Sequence, residues 1–240
     1  MLGMPKERLL KIRYKEYERP RFLRLLVVLI LRIYLHILLR FKLTASSHLP
    51  KGPKVFAINH PTATDPFLIG SIFPNARILI TKDAFKFRFS DWLLRKKLGH
   101  IPVDKKNGKL AYMEARKSLL DGKDIIIFPE GTLSKKLFTM HEIKTGLARL
   151  ALETGATIVP IGISLKDRGV IEWKMKNRKG EKNLARWYIF NKYCVNIGKS
   201  IKLKGSINNK KHLYRKSIFL KHEIQKLSRK YFYKTNMLEK

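Results

Sequence analysis

The chain has 240 residues, which suits one domain with a sizeable core and leaves too little length for two full domains. Its 52 lysines and arginines against 18 aspartates and glutamates give a formal net charge of +34, which predicts an anionic partner: nucleic acid, a membrane surface or a phosphorylated substrate. The single cysteine, Cys194, excludes an internal disulfide and is expected to be a packed strand residue.

The first 45 residues predict a helical segment that lies in a membrane interface. Residues 22–43 are mostly apolar, but basic side chains interrupt them, and the longest charge-free stretch, 25–31, is too short to span a bilayer. On a helical wheel the basic residues occupy one half of the circumference. The opposite face consists of Leu23, Leu26, Val27, Ile30, Leu31, Ile37 and Leu38. We expect residues 1–45 to lie on an anionic membrane surface; a helix that covers the protein's own core is the alternative.

From residue 54 onward, short β-branched runs alternate with helical patterns, which predicts an α/β fold. The runs are KVFAI, RILIT, IPV, DIIIFPEG and TIVPIGI. Several are apolar on consecutive positions, so we expect a mixed, mostly buried central sheet flanked by helices. Residues 46–240 are therefore predicted to form a single α/β domain.

Beyond about residue 166 the sequence changes in character. Lysine- and arginine-rich loops surround two further strand patterns, ARWYIF and KYCVNIG, which are predicted to pair with each other. A basic helix is predicted from about residue 210 to residue 233.

The stretch NHPTATDP, residues 59–66, places a histidine and an aspartate five positions apart after the first buried strand. Asp65 followed by proline predicts the start of a helix with Asp65 as its N-cap. One carboxylate oxygen can cap the helix while the other accepts a hydrogen bond from Nδ1 of His60. A histidine held in this way presents Nε2 as a general base. Because no serine lies in a nucleophile-elbow sequence, the expected proton donor is the substrate's own hydroxyl.

Two further stretches follow predicted strands. FPEGT, residues 128–132, puts Glu130 at the end of a strand, where α/β proteins bind ligands, and the Gly131 and Thr132 amides are suited to an anion. GHIPVDKKNG, residues 99–108, puts two lysines just after a short strand, where cations can meet a phosphate. An ordinary surface turn and a solvated basic loop are the alternatives for these two stretches.

Taken in order, NHPTATD, GHIPVDK, FPEGT and VPIGI resemble the four sequence blocks of the glycerolipid acyltransferase family, particularly lysophosphatidic acid acyltransferases, over roughly residues 50–165. The resemblance implies that His60 is the catalytic base, that Asp65 orients it, and that the acceptor hydroxyl attacks an acyl thioester directly. Substrate-binding roles are implied for Lys105, Glu130, Gly131, Thr132 and Lys144.

The implied reaction moves a fatty acyl chain from acyl-CoA or acyl carrier protein to the sn-2 hydroxyl of lysophosphatidic acid, giving phosphatidic acid in phospholipid biosynthesis. No metal and no cofactor is implied. The expected partners are the lysolipid, the acyl donor and an anionic membrane surface, and no nucleic acid. The expected location is the cytoplasmic face of the cell membrane, with monotopic or peripheral attachment.

The sequence departs from the family pattern at two positions. Lys105 and Leu133 stand where arginine is common, and lysine lacks the bidentate fork of arginine. Lys135 and Lys136 are close enough in sequence to replace the missing cation. The alternative functions are a sibling acyltransferase acting on glycerol 3-phosphate or another lysophospholipid, a thioesterase and, from a different class, a basic nucleic-acid-binding protein.

Overall fold

The structure is a computed structural model that describes residues 21–46, 48–104, 106–176 and 182–238. Its strands are β1 Lys42–Ala45, β2 Lys54–Ile58, β3 Arg77–Thr81, β4 Ile101–Val103, β5 Ile125–Ile127, β6 Thr157–Leu165, β7 Val170–Lys176, β8 Lys182–Tyr188 and β9 Tyr193–Ile197. Its α-helices are α1 Arg21–Ile37, α2 Asp65–Ile72, α3 Arg88–Asp91, α4 Lys109–Leu120, α5 Gly146–Thr154 and α6 Lys210–Leu238. A 3₁₀ turn, Lys82–Phe85, precedes α3, and a π-helical turn, Trp92–Lys97, follows it.

A seven-stranded mixed sheet with the order β1-β9-β6-β2-β5-β3-β4 organises the domain. Strands β6, β2, β5, β3 and β4 are parallel to one another, whereas β9 is antiparallel to β6 and pairs in parallel with β1. One face of the sheet packs against α1 and α2, and the other packs against α4, α5 and α6. The predicted α/β fold with a mixed, buried central sheet is confirmed.

The predicted pairing of ARWYIF with KYCVNIG is wrong. β8 pairs with β7 in a separate two-stranded hairpin, and β9 inserts between β1 and β6. All five β9 residues are buried, as expected for a strand inside the central sheet. At the end of β8, by contrast, buried Arg186 and Tyr188 flank exposed Trp187, as expected for a strand with two different faces.

The N-terminal helix α1 ends at Ile37, and residues 42–45 form an edge strand of the central sheet. The predicted boundary at residue 45 therefore falls at the end of a sheet strand, and residues 1–20 lie outside the described residues. Within the described part of the chain, no helix combines the length and apolar character needed to cross a bilayer. The membrane role of the segment stays a prediction.

Helix α1 exposes an apolar face that is turned relative to the predicted one. The exposed residues are Phe22, Leu25, Leu26, Leu29, Ile30, Ile33 and Ile37. Val27 and Leu31 were expected on this face but are partly covered, and Leu35 is fully buried in the core. The difference arises because packing against α2 and the sheet selects the buried side of the helix, whereas a helical wheel shows only where the charges lie.

The C-terminal helix α6 packs on β6 through a direct backbone approach at Gly162. A Cβ built on this glycine would clash with the backbone of Leu227 and Ser228. Two side-chain hydrogen bonds hold the helix there: Ser164 Oγ donates to the carbonyl of Ser228, and Asn196 Nδ2 donates to that of Leu227, 3.1 Å away. A residue without a side chain is therefore required at position 162.

We expect Gly162→Ala to lower the free energy of unfolding by about 2 kcal/mol or more, because α6 must move away from the sheet. Urea denaturation followed by circular dichroism measures the change. The matched control is Gly146→Ala at the start of α5, where an added Cβ meets nothing within 4 Å and stability should change by less than about 1 kcal/mol. Equal stability of the two variants would contradict the close approach of α6 to β6 at Gly162.

Candidate active site

His60 and Glu130 meet at one edge of the central sheet. β2 and β5 are adjacent and parallel, with Ala57 opposite Ile127, so the residues that follow them lie side by side. The backbone N–H of His60 donates to Glu130 Oε1 at 3.1 Å. Two stretches separated by 70 positions in the sequence are thus joined directly.

The His60 ring is oriented by Asp65. Nδ1 of the imidazole lies 3.1 Å from Oδ2 of the carboxylate, and the carboxylate is fully buried whereas the ring is partly accessible. The ring also stacks on Phe128, with 4.3 Å between ring centroids. With Nδ1 donating to the carboxylate, Nε2 carries the lone pair, and no described residue forms a hydrogen bond with Nε2. The arrangement can remove a proton from a hydroxyl placed beside the ring.

Four donors satisfy the buried carboxylate of Asp65. Besides His60, the backbone N–H and the hydroxyl of Thr62 each donate at 2.7 Å, and the hydroxyl of Tyr193 donates at 3.0 Å. This number of donors allows a charge to remain buried, because an unpaired buried carboxylate is very costly.

The predicted N-cap at Asp65 is wrong. Thr64 is the N-cap of α2, and Asp65 is the first residue of the helix, followed by the expected proline, Pro66. The described hydrogen bonds of the Asp65 carboxylate go to His60 and to the donors of Thr62 and Tyr193, so its oxygens hold the loop rather than the helix.

Tyr193, the first residue of β9, is fully buried beneath Asp65. Burial, together with the neighbouring Asp65 charge, raises the pKa of Tyr193 well above its usual value, so the hydroxyl keeps its proton and remains a donor. The folded state binds this proton more tightly than the unfolded state. The resulting stability is therefore present below about pH 10 and decreases as the pH rises above that value.

Glu130 binds three protein donors and organises the backbone around His60. Its Oε1 accepts from the His60 N–H and from the Ser134 hydroxyl at 2.7 Å, and its Oε2 accepts from the His141 N–H at 2.7 Å. The Ser134 N–H in turn donates to the His60 carbonyl at 2.7 Å. The peptide groups on both sides of His60 are thereby fixed by the segment from Glu130 to Ser134.

Arg186 of β8 connects the same two loops from a buried position. Its Nη1 donates to the carbonyls of Pro61 at 3.0 Å and Ser134 at 3.1 Å, and its Nη2 donates to that of Lys135 at 3.4 Å. Its Nε donates to Glu172 Oε1 at 2.9 Å. A single guanidinium therefore joins the loop that carries His60 to the loop that follows Glu130.

The backbone of β8 reinforces this connection. The Ala63 N–H donates to the Arg186 carbonyl at 2.7 Å, and the Tyr188 N–H donates to the Thr64 hydroxyl at 2.9 Å. On the opposite side, the buried Asn59 amide pairs with both backbone groups of Ile163 in β6, at 2.7 and 3.0 Å. The stretch from Asn59 to Thr64 is held from both sides.

The remaining predicted site residues have different placements. Gly131 and Thr132 are exposed, and Gly131 adopts a left-handed conformation with φ of 67° that favours glycine. The Gly131 N–H donates to the Phe128 carbonyl, so the predicted anion site formed by both amides would need that bond to open. Lys144 is exposed just before α5, and the described hydrogen bonds and ion pairs of His60 do not include it. Lys105 lies outside the described residues.

A cavity of about 380 Å³ lies against the hairpin and the loop that follows Glu130. It is lined by Lys135, Lys136, Leu137, Asp167, Val170, Glu172 and Arg186. Within the described residues, the side chains of Lys135, Lys136 and Asp167 form no ion pair, so both signs of charge are available to a ligand. No group of three or more histidine, cysteine, aspartate or glutamate side chains among the described residues is placed to hold a metal ion.

Sequence reasoning missed Tyr193 and Arg186. Both lie more than 120 positions from the residues they contact in the stretch Asn59–Asp65, outside the four sequence blocks, and on strands whose pairing was predicted wrongly. Neither residue has a local sequence signal that marks it as functional. Aromatic residues at strand starts and basic residues in short β-patterns are common. Asn59, by contrast, lies inside the quoted motif.

The chain is similar to several known proteins. A family profile described as Acyltransferase matches residues 40–164. The lyso-ornithine lipid O-acyltransferase of Pseudomonas aeruginosa is 29% identical over 136 residues, which are 55% of this chain and 51% of that protein. The 1-acyl-sn-glycerol-3-phosphate acyltransferase of Saccharomyces cerevisiae is 30% identical over 129 residues, covering 51% of this chain and 42% of that protein.

A protein of the same name from Borreliella burgdorferi is 30% identical over 123 residues, covering 49% of this chain and 48% of that protein. The chain thus spans about half the length of the curated relatives it matches. The crystal structure of the 1-acyl-sn-glycerophosphate acyltransferase PlsC from Thermotoga maritima matches with a TM-score of 0.61 at 18% identity, over 86% of this chain and 80% of that one. At this identity the structural likeness supports the fold alone.

We expect Tyr193→Phe to lower the free energy of unfolding by about 2 kcal/mol, because the buried carboxylate of Asp65 loses a hydroxyl donor. Urea denaturation at neutral pH measures the loss. Tyr214→Phe is the matched control, since Tyr214 is half exposed and its change should stay within about 0.5 kcal/mol. A Tyr193→Phe protein as stable as the parent would show that the carboxylate does not depend on this donor.

Proposed function

Because the chain belongs to the acyltransferase family, we propose that it transfers a fatty acyl chain from acyl-CoA or acyl carrier protein to the sn-2 hydroxyl of lysophosphatidic acid. The product is phosphatidic acid, so the reaction is a step of phospholipid biosynthesis. The observation that carries the proposal is the His60–Asp65 contact, which leaves Nε2 of the imidazole without a hydrogen-bond partner among the described residues.

In the proposed reaction the acceptor hydroxyl lies beside Nε2 of His60. As its oxygen attacks the thioester carbonyl, Nε2 takes the hydroxyl proton, and the buried Asp65 carboxylate stabilises the imidazolium that forms. The new carbon–oxygen bond forms, the carbon–sulfur bond breaks, and the proton passes from the imidazolium to the departing thiolate. No step needs a protein nucleophile or a cofactor.

Glu130 is proposed to position His60 and not to contact the substrate. All three of its described hydrogen bonds are to protein donors, one of them the backbone N–H of His60, so the carboxylate holds His60 in place. We assign it this positioning role, and contact of Gly131 and Thr132 with the acceptor remains part of the proposal. Both residues are exposed at the turn that follows β5, where a ligand can reach them.

The acceptor's phosphate is proposed to bind in the cavity beside the His60 loop. Lys135 and Lys136 line it, and Arg186 forms part of the wall. Lysine ammonium groups bind phosphate through charge-assisted hydrogen bonds. These two lysines thereby take the place of the arginine that is common at position 133 in the family. Lys105 and Lys144 remain proposed contacts of the same phosphate.

A lysolipid with a zwitterionic head group is the second candidate acceptor. Asp167 and Glu172 line the same cavity as the two lysines, so the cavity offers partners to a ligand cation as well as to a ligand anion. Ornithine carries an ammonium and a carboxylate, and one relative is named for a lyso-ornithine lipid. Charges of both signs in one cavity favour this candidate over glycerol 3-phosphate.

We further propose that the enzyme works at an anionic membrane surface, on the cytoplasmic face, with peripheral or monotopic attachment through α1. The exposed apolar face of α1 supports this location, and so does the formal net charge of +34. The donor, whether acyl-CoA or acyl carrier protein, is also anionic. We propose no role for nucleic acid as a partner, since the substrates account for the basic surface.

We expect His60→Ala to reduce acyl transfer by about a thousandfold or more, because no other group takes the hydroxyl proton. The assay uses purified protein, labelled acyl thioester and lysophosphatidic acid, with release of the free thiol as a second readout. His48→Ala is the matched control: His48 is exposed, and its replacement should leave the rate of acyl transfer unchanged. Undiminished turnover of a folded His60→Ala protein would remove the base assignment.

We expect replacement of Lys135 and Lys136 by glutamine to raise the KM for lysophosphatidic acid about tenfold with little change in kcat, because charge-assisted contacts to the phosphate are lost. The same change at exposed Lys51 is the control. Asp167→Asn separates the candidates: it should raise the KM for lyso-ornithine lipid and leave that for lysophosphatidic acid unchanged. If Asp167→Asn changed the KM for both acceptors equally, head-group binding in this cavity would be contradicted.

A further inference from the structure

The β7–β8 hairpin exposes three large apolar side chains on the face opposite to buried Arg186 and Tyr188. On the inner face, Glu172 forms an ion pair with buried Arg186, which donates a hydrogen bond to the Pro61 carbonyl in the loop around His60. On the outer face, Ile171, Trp173 and Trp187 are 51%, 67% and 40% exposed. Ile171 lies directly opposite Trp187 in the ladder, so the three side chains form one patch.

The outer face of the hairpin differs from that of an ordinary two-stranded surface ribbon. An antiparallel pair with one face on the protein normally buries its apolar residues and turns its polar residues to water. Here the inner face holds buried Arg186 and Tyr188 and packs Val170 against the core, yet the outer face also carries large apolar side chains. A contiguous exposed patch with two tryptophans indicates a binding surface.

The chemistry around the patch selects a lipid bilayer as its occupant. Tryptophan side chains favour the water–hydrocarbon boundary because one edge of the indole is polar and the rest is apolar. Lys166 and Arg168, at the start of the hairpin, are exposed and supply cations for anionic head groups. The formal net charge of the whole chain, +34, is also opposite in sign to anionic head groups.

The hairpin is also bonded to α1, the helix with the other exposed apolar face. The Tyr34 hydroxyl donates to the carbonyls of Tyr188 at 2.8 Å and Ile189 at 2.9 Å, where β8 ends. Ile189 and Phe190, which follow, are themselves 40% and 49% exposed. The helix and the hairpin are thus held together by direct hydrogen bonds, and apolar exposure continues from one element to the other.

We propose that the outer face of the β7–β8 hairpin, formed by Ile171, Trp173 and Trp187, inserts into the interface of an anionic bilayer as a second lipid contact beside α1. The choice of a bilayer rests in part on the proposed function, which requires a lipid acceptor. Because Arg186 on the inner face holds the carbonyls of Pro61 and Ser134, a hairpin seated in the interface places the His60 loop against the membrane.

Fluorescence quenching tests the insertion directly. The chain has three tryptophans, so Trp92→Phe leaves only the two hairpin indoles. This variant is mixed with vesicles of equal amounts of phosphatidylglycerol and phosphatidylcholine, with or without bromine atoms on the acyl chains. Insertion predicts a blue-shifted emission and quenching by the brominated lipid. A protein that binds the vesicles with unshifted, unquenched emission would overturn the proposal.

Vesicle binding by a polar hairpin variant gives a second, independent measurement. Ile171→Ser with Trp173→Ser should weaken binding to the same vesicles about tenfold or more, because two large side chains no longer leave water. The matched control is Leu110→Ser with Leu120→Ser on α4, whose side chains are 65% and 56% exposed. The control should bind as the parent does; equal losses in both variants would overturn the assignment.

Two further readouts separate this inference from the proposed function and from a protein partner. Acyl transfer to a short-chain, water-soluble acceptor should be the same in the hairpin variant and the parent. Quenching without acyl transfer in the parent would disprove the function and support the insertion. Sedimentation without lipid tests self-association: a parent dimer that the hairpin variant converts to a monomer would identify a protein interface and overturn the lipid assignment.

Discussion

The buried carboxylate of Asp65 is the constraint on which the site depends. A charge with no access to water must be met by donors, and here a ring nitrogen, a peptide N–H and two hydroxyls supply them. Because Tyr193 comes from β9 and His60 follows β2, one carboxylate ties together strands that are not neighbours in the sheet. The His60 ring cannot turn without breaking a bond to a buried charge, so its basic nitrogen is pre-oriented.

Much of the site follows from the parallel sheet. Consecutive apolar residues identified β2, β5 and β6 as buried strands, and in such sheets the residues after the strand ends gather at one edge. The sequence placed a histidine after β2 and a glutamate after β5, but it did not show that these two strands are neighbours. The adjacency of β2 and β5 supplies the 3.1 Å contact between the His60 N–H and Glu130.

The parts that escaped prediction depend on long-range packing. The partner of β8 could not be identified from a local pattern, because β-propensity does not specify which strand pairs with which. The same holds for Tyr193, whose importance comes from a carboxylate 128 positions away. For α1, the sequence correctly indicated an amphipathic helix but not the side that the sheet and α2 would cover.

Buried side chains hold the His60 loop, whereas exposed Lys135, Lys136 and Asp167 line the adjacent cavity. The side chains of Asp65, Glu130 and Arg186 are buried and engaged with protein partners, so changing any of them disturbs the base. The lysines and Asp167 in the adjacent cavity have no such engagement among the described residues, and their side chains are free to adjust. In the proposed function, substitution in the cavity changes the head-group preference while His60 and Asp65 stay as they are. Relatives of the chain are named for chemically different lysolipids, which such a division between cavity and base would allow.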